Sequence, residues 1–116
     1  MQLESKKYLF DIAQAAKLLR QFSSGKSFAD YMADPLLRSA VERQFEVIGE
    51  AIAQLIKLDP GTGARLTEHK RVVAFRNVLI HGYAQIDHRI VWDVLERKVP
   101  VLLREAEALL AEAESR

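Results

Sequence analysis

The sequence contains no cysteine. That excludes disulfides, thiolate nucleophiles and thiolate-bound metal together, and leaves histidine as the side chain that titrates near neutrality. Proline and glycine are few, three and five among 116 residues, which argues against disorder or a fibrous repeat. No apolar run approaches the roughly 20 residues of a membrane helix, and MQLESKKYLF lacks the basic-then-apolar order of a secretory leader. A cytoplasmic address without a membrane is therefore expected. Neither sign of charge is in excess, with 17 Lys and Arg against 16 Asp and Glu and a formal net charge of +1, which excludes a general polycation of the kind that coats nucleic acid. With 49% hydrophobic and 28% charged residues, the chain suits one helical domain over residues 1–116 with a modest core, small enough to profit from a partner.

Helical periodicity dominates what is present. Leu9, Ile12, Ala16 and Leu19 recur at spacings of three and four, predicting an amphipathic helix from about Ser5 to Phe22. SFADYMAD reads as a connecting turn of helix opened by Ser27, with Asp30 placed for a capping box. Asp34 and Pro35 supply a cap and a first-turn proline for a second long helix, whose stripe is Leu37, Val41, Phe45, Ile48, Ile52 and Leu55. LDPGTG breaks it, and a third helix is expected from near Leu66, with Val72, Val73, Phe75, Leu79 and Ile80 covering a wide apolar arc up to Gly82. Asp87 caps a fourth carrying Ile90, Val91, Val94 and Leu95, which Pro100 kinks or divides. The expected fold is all-α, an up-and-down bundle of four to five helices joined by short connections.

Local charge is less bland than the total. Arg65, Lys70, Arg71 and Arg76 face one acid, Glu68, in the stretch that ends at His81, whereas Glu105, Glu107, Glu112 and Glu114 crowd the C-terminal end. Within RNVLIHGY, residues 76–83, Asn77 and His81 fall one turn apart on one helix face, and Arg76 has the reach to join them. An imidazole that exchanges protons near neutrality, beside a guanidinium that grips phosphate oxygens with a rigid fork of donors, suits phosphodiester cleavage. For RNA the attacking group can be the substrate's own 2′-hydroxyl, so no metal, cofactor or protein nucleophile is required. Taken singly, the same residues have plainer readings: His81 as a structural histidine at a helix end, Arg76 as partner to Glu46 or Glu50, and Tyr83 as a core aromatic with its hydroxyl at the surface. Gly49 in mid-helix costs about 1 kcal/mol relative to alanine and calls for the close approach of another backbone.

Other signals fail. SSGKS is no phosphate loop, because the position that needs the first glycine is Arg20. His69, His81 and His88 have spacings of twelve and seven, which match no zinc pattern, so no metal site is expected. His88 reads as first-turn surface beside its cap, and Trp92 as core or subunit interface.

Arg76, His81 and Tyr83 together resemble the R-x4-H-x-Y signature of the HEPN superfamily, in particular its HepT-like toxins, which pair with MntA-like nucleotidyltransferase antitoxins. The polar Asn77 fits this pattern. VERQFEVIGEA, residues 41–51, is similar to the family's second-helix stretch, and IVWDVLERKVPVLL, residues 90–103, to its fourth helix. The resemblance implies a HEPN-like homodimer acting as a metal-independent RNase on an RNA such as tRNA or mRNA. The two motif copies would face each other, with Arg76 and His81 catalytic and Asn77 and Glu50 supporting. Lys70 and Arg71 are candidates to bind substrate. It further implies that the antitoxin adds AMP to Tyr83 and so blocks the RNA site. The competing expectation is a catalytically silent helical module that partners a nucleotidyltransferase.

Overall fold

The computed structural model describes residues 1–82 and 86–115, with His81 through its backbone only; Tyr83 lies outside the described residues. The described residues form helices α1 (Leu3–Ser23), α2 (Phe28–Ala33), α3 (Pro35–Leu58), α4 (Pro60–Ala64), α5 (His69–His81), α6 (His88–Arg97) and α7 (Val99–Glu114), with no strand among them. The rods are α1, α3, α5 and the α6–α7 pair, and α2 and α4 are single-turn pieces in the connections. The all-α architecture is as expected, with more short helical segments than the four to five anticipated.

The starts of α2, α3 and α6 have a local cause in a capping side chain. The Ser27 side chain accepts from the Asp30 backbone N–H at 3.1 Å, and the Ser27 N–H donates to the Asp30 carboxylate at 2.8 Å, a complete capping box. Asp34 accepts from the backbone N–H groups of Leu36 and Leu37, with Pro35 in the first turn of α3. Asp87 accepts from the Arg89 N–H to open α6. Pro100 lies in the first turn of α7, so it divides the last rod instead of kinking it.

LDPGTG is a correction. It forms α4 because Asp59 caps it twice, accepting from the Thr62 N–H at 3.2 Å and the Thr62 hydroxyl at 2.7 Å. Gly63 then lies so close to the end of α3 that a Cβ there would stand 2.7 Å from Ile56 Cγ1. Those bonds, the Thr62 hydroxyl first, hold the Asp59 carboxyl below its ordinary pKa. The next rod starts at His69 rather than near Leu66, although Leu66 is itself fully buried in the connection.

α1 packs on α3 and α7, and α5 packs on α3. Leu9, Ile12, Ala16 and Leu19 of α1 are wholly buried, as is the α3 stripe apart from Leu37 at its rim. The α5 arc is narrower than expected: Val72 and Leu79 are buried, Phe75 meets Phe45 edge-on at 5.3 Å between ring centres, and Ile80 is 43% exposed. Ile90 of α6 is likewise out in solvent. No helix among the described residues is long and apolar enough to cross a membrane.

His88 is no simple surface residue. It is half-buried, with Nδ1 3.0 Å from the Tyr31 hydroxyl and its ring edge-on to the tyrosine. Trp92 belongs to the core, its ring tilted against Tyr31 at 5.2 Å between ring centres. Glu42 is buried close to this cluster. Desolvation raises its pKa, partly opposed by the positive potential of His88 and Arg38 and reinforced by Glu46.

Candidate active site

α5 carries Lys70, Arg71, Arg76 and Asn77 and closes on the backbone of His81, while α3 lies alongside it and presents Gly49 and Glu50. The contact between these helices is unusually close at one point. A Cβ on Gly49 would fall 2.3 Å from Arg76 Cβ, 2.8 Å from Cγ and 3.3 Å from Cδ. Glycine therefore stands mid-helix to make room for the arginine's stem, which is a side chain and not the second backbone expected from sequence.

The guanidinium is fixed at its far end. Nη2 lies 2.6 Å from Glu50 Oε2, and Nη1 donates to Asn77 Oδ1 at 3.0 Å. The Arg76 side chain is 26% exposed, yet its Nε is buried and has no hydrogen-bond partner among the described residues. An arginine pressed against a glycine, paired to one carboxylate and hydrogen-bonded to the next residue in sequence has lost most of its rotamer freedom before any ligand arrives. Glu46, the other acid considered for this role, pairs instead with Arg43 on its own helix.

The basic stretch separates into structural and unengaged charges. Arg65 makes a two-pronged pair with Glu112, at 2.9 and 2.6 Å, and Glu68 pairs with Lys98 at 3.3 Å. Both ties hold the connection before α5 against the last rod. Lys70 and Arg71 are exposed and make no ion pair among the described residues. The structure thus brings Arg76, Asn77 and Glu50 together. Gly49 is the residue whose contribution sequence reasoning only half anticipated; its helical cost was the available signal.

Comparison with known proteins gives the family of the chain. The family model described as Ribonuclease HepT-like matches residues 12–109. The inferred ribonuclease HepT of Thermococcus cleftensis is 32% identical over 112 residues, covering 94% of this chain and 98% of its own. A Caldanaerobacter subterraneus protein, named by inference as an RNase, is 32% identical over 103 residues, covering 89% of this chain and 91% of its own. A similarly named Methanocaldococcus jannaschii protein is 31% identical over 102 residues, covering 88% and 93%. No solved structure matches the chain. With a family model spanning most of the sequence and relatives of this identity matched over nearly their full length, the chain belongs to the HepT-like ribonuclease family.

Proposed function

We propose that the chain is a metal-independent RNA endonuclease, the toxin of a toxin–antitoxin pair, in which Arg76 and His81 act on one phosphodiester. The observation that carries this reading is the preorganised guanidinium of Arg76, seated on Gly49 and tied to Glu50 and Asn77. A charge fixed in advance stabilises a developing phosphorane without reorganising during the reaction.

The chemistry needs few parts. The substrate's 2′-oxygen attacks the adjacent phosphorus as imidazole takes its proton. The P–O5′ bond breaks, the 5′-oxygen leaves as a hydroxyl on receiving a proton from imidazolium, and a 2′,3′-cyclic phosphate remains. Arg76 neutralises the non-bridging oxygens, and Asn77 and Glu50 hold Arg76. A homodimer with the two motif copies facing each other would supply one imidazole as base and the other as acid.

Control would come from a nucleotidyltransferase antitoxin. The Tyr83 oxygen would attack the α-phosphorus of ATP, release pyrophosphate and retain AMP, placing negative charge where the RNA phosphate must bind. Incubation with ATP, magnesium and that partner should add AMP-sized mass to the peptide holding Tyr83, and Tyr83→Phe should abolish the addition.

The nuclease itself is tested with the purified chain in EDTA. Arg76→Ala and His81→Ala should each remove RNA cutting, by about 10²-fold or more, while remaining folded. An unaltered cutting rate in either variant would leave the non-catalytic partner module as the better reading.

A further inference from the structure

The groove between α3 and α5 lies outside the bond-breaking step proposed for Arg76 and His81. It has a volume of about 480 Å³ and begins beside Asn77, the residue that accepts from Arg76. Ala53, Ile56 and Val73, all partly buried, form its floor, and the exposed Ala74 lies at its rim with Lys57, Lys70 and His69. The chemistry of this lining is one-sided. The floor is apolar, both formal charges on the rim are positive, and no carboxylate is among the lining residues. Neither lysine is neutralised by an ion pair among the described residues.

A surface of this kind suits a ligand with a flat apolar face and negative charge along its edge. A nucleotide of single-stranded RNA has both: a base that can lie on the methyl groups of the floor, and phosphates that the two lysines can reach. A second copy of the chain is the rival occupant, since an apolar groove also suits a subunit contact. Two unpaired lysines would then have to be covered by acids of the partner, whereas a polyanion neutralises them without special arrangement.

Resting on the proposed nuclease, we infer that this groove is the subsite for an RNA nucleotide flanking the cut bond, held by base contact with Val73 and Ala74 and by phosphate contact with Lys57 and Lys70. The strand would run along α5 from Lys70 past Asn77 to Arg76, so the groove governs binding and register rather than the bond-breaking step.

The test uses the full chain and a fluorescein-labelled single-stranded RNA of about twelve mixed-sequence nucleotides, followed by anisotropy from about 50 to 200 mM salt. The double variant Lys57→Ala/Lys70→Ala should bind about tenfold more weakly, with its salt slope reduced by about 1.4 for two lost phosphate contacts on a single strand. Ala74→Glu, at an exposed position that does not threaten folding, should weaken binding at least as much and raise KM with little change in kcat. Unchanged affinity and slope in both variants would overturn the assignment. So would a shift in oligomeric state by Ala74→Glu in sedimentation, which would give the groove to a subunit contact. Arg76→Ala separates this proposal from the one beneath it. Loss of cutting there, with RNA binding still sensitive to Ala74→Glu, sustains both, whereas normal cutting by Arg76→Ala removes the nuclease reading whatever the groove binds.

Discussion

Replacing Gly49 by alanine adds one methyl group where α3 and α5 meet most closely at a glycine. The new Cβ would lie 2.3 Å from Arg76 Cβ, and ordinary contact begins near 3.4 Å, so α3 and α5 must part by about 1 Å locally. Arg76 cannot escape by changing rotamer, because the clashing atom is its own Cβ, fixed to the α5 backbone. Overpacking of this kind costs about 1–3 kcal/mol, and alanine returns about 1 kcal/mol in helix propensity. The net loss is about 0–2 kcal/mol, a drop of several degrees in melting temperature that leaves the chain folded at 25 °C. The catalytic cost should be larger, because a displacement of about 1 Å at a positioned group can lower a rate about 10²-fold. Cleavage of a fluorogenic RNA at saturating substrate, alongside thermal unfolding, measures both. Gly63→Ala is the control: its Cβ would meet Ile56 instead, at 2.7 Å, with no contact to Arg76, so it should lose stability without losing kcat. A folded Gly49→Ala protein that cuts at the wild-type rate would refute the claim that this glycine seats the arginine for its task.

Two further variants probe the electrostatics. Glu50→Gln keeps the shape of the 2.6 Å pair while removing its charge; because Glu50 is about half exposed, stability should change by less than about 1 kcal/mol, whereas kcat should fall about tenfold as Arg76 loses its tether. Glu42→Gln should stabilise the protein at neutral pH. Burial raises the folded-state pKa of Glu42 above its unfolded value, so the folded chain binds more protons in that interval and wild-type stability declines as pH rises through it. The advantage of glutamine should therefore be full above the raised pKa and vanish below the ordinary carboxylate range, as read by urea denaturation across pH.

Much of this architecture was legible in the sequence because it depends on local rules. The stripes of α1 and α3 follow from a period near 3.6, and the caps at Ser27, Asp34 and Asp87 follow from short side chains meeting free N–H groups one turn on. The pairing of Arg76 with Glu50 was anticipated as one of two options, and only packing chose between Glu50 and Glu46. What stayed hidden depends on tertiary contact. α4 forms through glycines because Asp59 caps it and Gly63 fits against Ile56. His88 turns inward because a tyrosine hydroxyl distant in sequence is there to meet it. Ile80 and Ile90 follow the helical pattern yet remain in solvent, which periodicity alone cannot foresee.

The most direct measurement is the chemistry of the ends left by cutting. With EDTA present, mass spectrometry of the products should show a 2′,3′-cyclic phosphate on one fragment and a 5′-hydroxyl on the other, and a single 2′-deoxy nucleotide at the cut position should protect that bond. Fragments ending in 3′-hydroxyl and 5′-phosphate, or cleavage that persists at the deoxy position, would contradict attack by the substrate's own hydroxyl on a phosphate gripped by Arg76.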